Sequence, residues 1–261
     1  MDNMLRSITR EKVLINIARI IVFLGVLLFW EAISEIFGLV HPVWISSPSR
    51  IAVRLIKWIM GDLAKHMAVT LWETMLGFAV GVSLGIMVGL ILGLCKTISV
   101  ILDPFIMALN SLPRIVLAPL FILWFGIGIM SKVVLIITMV FFILLYNTLA
   151  GVRSIDPMYL NLILSLGGNF RHIMTKIVLP WCVPYIFAGI KLSIGMSLVG
   201  AVIGEFLASN VGLGFLIAWS SSMFDTTGVF AGIVILMVLA LVIDGGMKLL
   251  ERRLQRWRPS T

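Results

Sequence analysis

Ionisable and polar side chains inside apolar stretches are the residues best placed to do chemistry in this sequence. Arg114 follows a break at Leu112-Pro113, and Lys191 and Glu205 share one apolar stretch, fourteen residues apart. That separation is about 21 Å along a straight helix, too far for the two to pair. A charge at membrane depth is costly unless it faces a partner or a water-filled cavity. We therefore predict a solute path that includes Asn110, Ser111, Arg114, Lys191 and Glu205.

Each of the three charged residues also has a structural interpretation. Arg114 could form a structural ion pair, Lys191 could snorkel to the membrane surface, and Glu205 could lie at the interface. The sequence alone leaves both interpretations open for each residue.

Motifs for catalysis or nucleotide binding are absent from the sequence. It has no G-x-x-x-x-G-K-[ST] loop, no H-E-x-x-H pair and no G-x-S-x-G elbow. Its three histidines are widely separated and lack the spacing of metal ligands. We predict no catalytic residue and no metal site, which disfavours a membrane hydrolase.

Glycine recurs at every fourth position in one apolar stretch. Positions i and i+4 lie on the same ridge of a helix, and a ridge without side chains lets another helix approach closely. We assign five residues to tight helix packing: Gly77, Gly81, Gly85, Gly89 and Gly93.

The connection at residues 154–178 has the pattern of two short helices. Asp156-Pro157 is a strong helix start, and Gly167-Gly168 permits a sharp turn. Asn169 can cap a second helix whose apolar residues recur on one side. The segment is predicted to be a rigid amphipathic docking surface; a loop resting on lipid is the alternative.

Composition places these features in a membrane. The chain is 61% hydrophobic and 12% charged, whereas soluble domains carry roughly 25% charged residues. Six apolar stretches are long enough for membrane helices, at about 14–38, 64–95, 98–126, 131–152, 179–208 and 228–250. The fold class is therefore predicted as an all-α polytopic membrane protein with six spans and no nucleic-acid partner.

The distribution of Lys and Arg predicts that both termini are cytoplasmic. Residues 48–60 have near-helical apolar spacing and are expected to lie in the outer interface, with a continuation of the second helix as the alternative. We divide the chain into residues 1–62, with the first span and this segment, and residues 63–261, with the other five spans.

The connection before the fifth span resembles the cytoplasmic signature E-A-A-x3-G-x9-I-x-L-P of permease subunits of binding-protein-dependent type I ABC importers. Gly167, Ile177, Leu179 and Pro180 match its second half, whereas residues 161–163 depart from E-A-A. Residues 101–104, 111–113, 123–128, 150–156 and 212–215 resemble the branch that takes nitrate, sulfonates, taurine and bicarbonate. The resemblance covers about residues 65–258.

The resemblance implies a multi-pass protein of the bacterial inner membrane that works by alternating access. It implies a homodimer, two ATPase subunits that carry ATP and Mg²⁺, and an external solute-binding protein; this chain itself would bind no cofactor and catalyse no reaction. Residues 156–176 would be the coupling helix. Ten residues would contact or position it against the ATPase: Asp156, Leu160, Leu164, Gly167, Phe170, Arg171, Ile173, Lys176, Leu179 and Pro180.

A small anion such as a sulfonate or nitrate is the substrate that the resemblance favours. Aromatic carboxylates and thiamine-precursor pyrimidines are alternatives within the branch. A stand-alone secondary transporter and a membrane subunit without a conduit are alternatives outside it, although no repeat and only one clearly broken span are visible.

Overall fold

A computed structural model describes residues 2–39, 41 and 43–254, and it describes side chains from residue 14 to residue 249 apart from 40 and 42. Throughout these residues the regular structure is helical. The helices are α1 (Asp2–Glu31), α2 (Pro48–Ile59), α3 (Leu63–Leu94), α4 (Lys96–Ser111), α5 (Arg114–Phe125), α6 (Ile129–Arg153), α7 (Pro157–Ser165), α8 (Phe170–Ile173), α9 (Leu179–Ala208), α10 (Leu213–Ser222) and α11 (Thr226–Leu254). Single π-helical turns follow α1 (Ala32–Ile36) and α8 (Met174–Val178).

The described residues contain five helical stretches long and apolar enough to cross a membrane: Leu14–Ile36, Leu63–Leu94, Ile129–Arg153, Phe170–Ala208 and Thr226–Leu249. The pair α4 and α5 makes a sixth if it is counted as one span. These stretches agree with the predicted all-α membrane fold. The segment at 48–60 forms α2, separate from α3, so it does not simply continue the second span.

The chain divides into two compact units. One comprises Met1–Leu63 with Ile217–Val234, and the other comprises Ala64–Leu216 with Ile235–Thr261. The sequence did not indicate that part of α10 and α11 shares a unit with the N-terminal segment.

The core of the second unit lies where α3, α6 and α9 meet. Ile136, Val140 and Leu144 of α6 and Ala201 of α9 are fully buried there. Helices α6 and α9 pack along their length, and the glycine ridge of α3 lies against α6.

The predicted glycine ridge faces a complementary row on α6. A Cβ atom built on Gly77, Gly81 or Gly93 would lie 2.5, 2.8 or 2.5 Å from the Cβ of a branched residue. Gly85 and Gly89 meet α6 at 2.6 and 2.7 Å. The partners also recur at every fourth residue: Ile136, Val140, Leu144, Thr148 and Val152. The α3 backbone therefore lies directly on α6 side chains, with no room for a side chain of its own.

The break between α4 and α5 turns the chain by 91°. Leu112 is extended (φ −68°, ψ 129°), as expected for a residue before proline, and Pro113 precedes the first residue of α5. The sequence prediction of a broken third stretch at this dipeptide agrees with the structure.

The start of the fifth span differs from the prediction. We expected a separate short helix ending before Pro180, but α8, the π turn and α9 form one helical stretch, Phe170–Ala208. Proline within an α-helix removes a hydrogen bond and clashes with the carbonyl four residues earlier. The wider π turn immediately before Leu179-Pro180 changes that hydrogen-bonding pattern locally, so the helix continues through the proline.

Candidate functional site

Two caps and one turn shape the connection between α6 and α9. The Asp156 carboxylate accepts a hydrogen bond from the Met158 N–H at 2.8 Å and starts α7 with Pro157 in its first turn. Asn169 and His172 form a reciprocal capping box that starts α8. Each cap satisfies donors that a helix start leaves free, so the segment has a defined geometry.

Gly167 makes the turn between the two caps. Its φ is +78°, in the left-handed region that favours glycine, and a Cβ built there would meet nothing within 4 Å. The Gly168 N–H then bonds to the Ile163 carbonyl at 2.8 Å and closes the end of α7. Gly167 is therefore required for its backbone conformation and not for space.

Four large apolar side chains on this segment point away from the protein. Met158, Leu162, Leu166 and Phe170 are 67%, 52%, 76% and 65% exposed. Met158 and Leu162 lie on α7, Leu166 follows its last residue, and Phe170 begins α8 after the Gly167-Gly168 turn. We call these four side chains the apolar stripe. Exposed apolar side chains grouped on one segment are typical of a surface that another molecule covers.

The sequence analysis chose partly different residues for this surface. Leu164 and Phe170 are exposed, but Leu160 and Ile173 pack on the buried cluster of Val152, Ile155, Val178 and Cys182. Leu160 and Ile173 therefore support the segment from inside. The sequence reasoning missed Met158, Leu162 and Leu166, although their i, i+4, i+8 spacing was visible.

The other predicted coupling residues on the C-terminal side of the turn are exposed as well. Arg171 and Lys176 are exposed, and Leu179 and Pro180 are exposed residues of the first turn of α9. Trp181 anchors the connection from behind, because its indole N–H donates to the Ser154 hydroxyl at 3.0 Å and its ring lies 5.7 Å from that of Tyr159.

Arg114 binds the end of α4 across the break. Its guanidinium donates to the carbonyls of Leu109 (2.8 Å), Asn110 (3.0 Å) and Leu112 (2.5 Å), and to Oδ1 of Asn110 (2.9 Å). It also lies 4.6 Å from the centre of the Phe142 ring. A cation suits the C-terminal carbonyls of a helix, which are left without intrahelical partners.

This arrangement differs from the ion pair that the structural interpretation of Arg114 predicts. Among the residues that the structure describes, its hydrogen-bond and ring partners are three carbonyl groups, one amide oxygen and one aromatic ring, and none is a carboxylate. Ser111 donates to the Met107 carbonyl at 2.9 Å. The structure thus brings Asn110, Ser111 and Arg114 together at the break.

Lys191 lies in the second unit, away from the α4–α5 break. It lines an open cavity of about 470 Å³ between α9 and α11, together with Gly195, Leu198, Leu241 and Asp244. Asp244 itself pairs with Lys248 at 2.6 Å.

Glu205 lies in the interior rather than at an interface. It is 1% exposed and accepts hydrogen bonds from the Thr70 hydroxyl at 2.7 Å and the Gly214 N–H at 2.6 Å. This placement differs from the interfacial position that was the structural alternative, whereas the assignment of Glu205 to the solute path stays a prediction.

A buried polar cluster surrounds Glu205. Lys132 of α6 forms a salt bridge with Glu73 of α3 and donates to the Ser209 hydroxyl at 3.1 Å. Thr70 also accepts a hydrogen bond from the Leu213 N–H at 2.9 Å. The cluster joins α3, α6, α9 and the α9–α10 connection. Sequence reasoning did not single out Lys132.

Among the described residues, no group of three or more His, Cys, Asp or Glu side chains is arranged to hold a metal ion.

The chain is similar in sequence to known transport permeases. The family model described as "Binding-protein-dependent transport system inner membrane component" matches residues 81–256. The putative aliphatic sulfonates transport permease protein SsuC of Bacillus subtilis is 34% identical over 236 residues, which cover 90% of this chain and 85% of the relative. The formylaminopyrimidine transport permease protein ThiX of Halalkalibacterium halodurans is 31% identical and covers 90% and 94%, respectively.

The fold is similar to a solved transporter. A chain of the MetNI methionine ABC transporter, in an inward-facing crystal form, superposes with a TM-score of 0.67 at 17% identity. The match covers 76% of this chain and 98% of that one. At this identity the likeness concerns the fold.

Proposed function

Since the chain belongs to the family of binding-protein-dependent transport system inner membrane components, we propose that two copies form the membrane path of an ATP-driven importer. In this proposal two ATPase subunits, which carry ATP and Mg²⁺, bind at the cytoplasmic face, and this chain catalyses no reaction. An external binding protein delivers the solute. The chain lies in a bacterial inner membrane with both termini in the cytoplasm, an orientation that requires α4 and α5 to cross together as the sixth span.

The apolar stripe is the observation that carries the ATPase contact. Four large apolar side chains are exposed on the connection that also carries the exposed cationic residues Arg171 and Lys176. A transport subunit without a nucleotide-binding loop needs a motor, and the stripe offers that motor an apolar surface on a rigid support.

Helix continuity explains how such a contact could move the membrane part. The segment from Phe170 runs without interruption into the fifth span. A displacement of Phe170, the stripe residue on this helix, would therefore be transmitted along α9 as a rigid-body movement, which a flexible loop would not transmit.

Truncation of Phe170 tests the contact. Phe170→Ala removes an exposed ring and should leave the fold intact, but should lower recovery of the co-expressed ATPase by about ten-fold, since one interface anchor is worth roughly 1.4 kcal/mol or more. Phe23→Ala is the matched control, because Phe23 is 63% exposed on α1. Equal ATPase recovery with both variants, together with unchanged uptake, would refute the assignment.

For the solute, we propose a small organic anion, with a sulfonate as the first candidate. The name of one relative with 34% identity supports this class, and Arg114 and Lys191 supply positive charge within the second unit. The name of another relative supports a pyrimidine as the second candidate.

Uptake into proteoliposomes distinguishes these candidates. The complex reconstituted with its binding protein and ATPase should accumulate an aliphatic sulfonate in an ATP-dependent manner, and excess formylaminopyrimidine should not compete. Competition by the pyrimidine, with no sulfonate uptake, would favour the second candidate. Uptake that needs neither ATP nor a partner would indicate a secondary transporter instead.

A further inference from the structure

The buried polar cluster has an imbalance of charge that the transport function does not explain. Glu73 and Glu205 are 0% and 1% exposed, and Lys132 is 4% exposed. If both carboxyl groups were ionised, one ammonium would face two negative charges. An unneutralised charge in such a place costs several kcal/mol.

The hydrogen bonds of the two carboxyl groups show which oxygen lacks a donor. Both oxygens of Glu205 accept hydrogen bonds, one from Thr70 and one from the Gly214 N–H. Oε1 of Glu73 pairs with Lys132. Its Oε2 is buried, and no described residue donates a hydrogen bond to it.

The free oxygen belongs to a carboxyl group that lies near the other carboxyl group. Thr70, one turn before Glu73 on α3, donates to Glu205. Lys132 pairs with Glu73, and its stem lies against Gly204, the neighbour of Glu205 in sequence. Two ionised carboxylates in that position would repel and would have no hydrogen between them. One proton removes the excess charge and supplies the missing donor.

His66 is a further ionisable residue on α3 near the cluster. It lies one turn before Thr70 and two turns before Glu73. Its Nδ1 lies 2.9 Å from the Gly212 amide nitrogen and 3.1 Å from the Gly212 carbonyl oxygen. It therefore fastens the α9–α10 connection, as Thr70 does through the Leu213 N–H.

We propose that Glu73 and Glu205 bind one proton between them, so that with Lys132 the cluster is neutral, and that this proton holds residues 209–214 against α3. The proton belongs to the pair and not to either carboxyl group alone. Loss of the proton would set two carboxylates against each other and loosen the connection that Glu205 holds through Gly214.

Infrared spectroscopy of the purified full chain tests for this proton directly. At neutral pH the wild-type protein should show the carbonyl band of an un-ionised carboxylic acid, separate from the carboxylate bands. Glu73→Gln and Glu205→Gln should each abolish it, since the remaining carboxylate then pairs with Lys132. Glu35→Gln, which removes an exposed carboxylate paired with Arg50, should leave the band unchanged.

Two results would overturn the proposal. One is a spectrum in which neither cluster variant alters this band. The other is a band that survives in one of the two, because that residue would then hold a proton of its own.

Thermal unfolding provides a second measurement on the same proteins. Each single Gln variant keeps one carboxylate for Lys132, so its unfolding midpoint should shift by less than about 3 °C. The double variant Glu73→Gln/Glu205→Gln leaves the ammonium buried without a counter-charge, and its midpoint should fall by about 6 °C or more. A double variant as stable as the singles would show that Lys132 does not depend on this pair. Neither experiment depends on transport activity.

Discussion

Gly85 of α3 lies against Leu144 of α6 so closely that a Cβ atom on the glycine would come 2.6 Å from the Leu144 Cβ and 2.7 Å from the Phe141 carbonyl oxygen. Leu144 is completely buried and Phe141 contributes backbone, so neither atom can move away cheaply. The contact is the centre of the glycine ridge, and it limits how close α3 and α6 can be.

We expect Gly85→Ala to destabilise the protein by about 1–3 kcal/mol, although alanine is the better helix former, because overpacking forces the two helices apart. The measurement is the thermal unfolding midpoint in detergent. Gly195→Ala on α9 is the matched control, since a Cβ there meets nothing within 4 Å. A Gly85→Ala midpoint equal to that of Gly195→Ala would contradict the packing assignment.

Substitutions at Gly167 can separate the need for its backbone conformation from the need for a residue without a side chain. At φ +78° a leucine is strained by about 1–2 kcal/mol, whereas asparagine tolerates this region. Gly167→Leu should therefore misplace the apolar stripe and reduce uptake per ATP hydrolysed, whereas Gly167→Asn should stay close to wild type. Both variants are compared in proteoliposomes that contain the full complex. Equal losses in Leu and Asn would point to side-chain bulk and against the turn.

Local features of the fold were predictable from the sequence because neighbouring residues determine them. Asp156-Pro157, Asn169 and Leu112-Pro113 each act on their own turn of chain, and the structure has a helix start or a break at each one. The same holds for the apolar lengths of the spans.

The polar cluster was not predictable in this way. Thr70 and Glu205 are 135 residues apart in sequence, and Lys132 comes from a third helix. Only the packing of α3, α6 and α9 brings them together, so their charges looked like separate features. The π turn before Pro180 is a further case, because proline more often marks a helix boundary than a continuation.

Substitution of Arg114 can separate the contribution of its planar hydrogen-bonding geometry from that of its positive charge. Its planar group, at the start of α5, donates to the carbonyls of Leu109, Asn110 and Leu112 at the end of α4, and lysine can keep the charge but not this fork. We expect Arg114→Lys to lower stability by about 1–2 kcal/mol and Arg114→Ala by more, measured as thermal unfolding in detergent.

Transport by the Arg114 variants separates the two interpretations of this residue. If Arg114 serves only the break, uptake should fall in proportion to the amount of folded protein. Suppose instead that Arg114→Lys and Arg114→Ala fold equally well, and that only Arg114→Lys transports an anion normally. That result would place the charge of Arg114 on the solute path.

Asp225 joins two interactions in the first unit, and conservative substitution can separate them. One carboxylate oxygen accepts from the Gly228 N–H at 3.1 Å at the start of α11, and the other pairs with Arg54 of α2 at 2.5 Å. Asp225→Asn keeps the first and loses the charge of the second. Because both side chains of the pair are partly exposed, at 34% and 27%, this loss should cost no more than about 1 kcal/mol.

Asp225→Ala removes the cap as well, and should cost about 1 kcal/mol beyond Asp225→Asn. A double-mutant cycle with Arg54→Met, read from thermal unfolding, isolates the ion pair. Its coupling energy should fall as salt is raised, whereas the difference between Asn and Ala should not, because the cap is a short hydrogen bond to backbone. A salt-independent coupling to Arg54 would mean that packing of the arginine side chain, and not its charge, joins α2 to the start of α11.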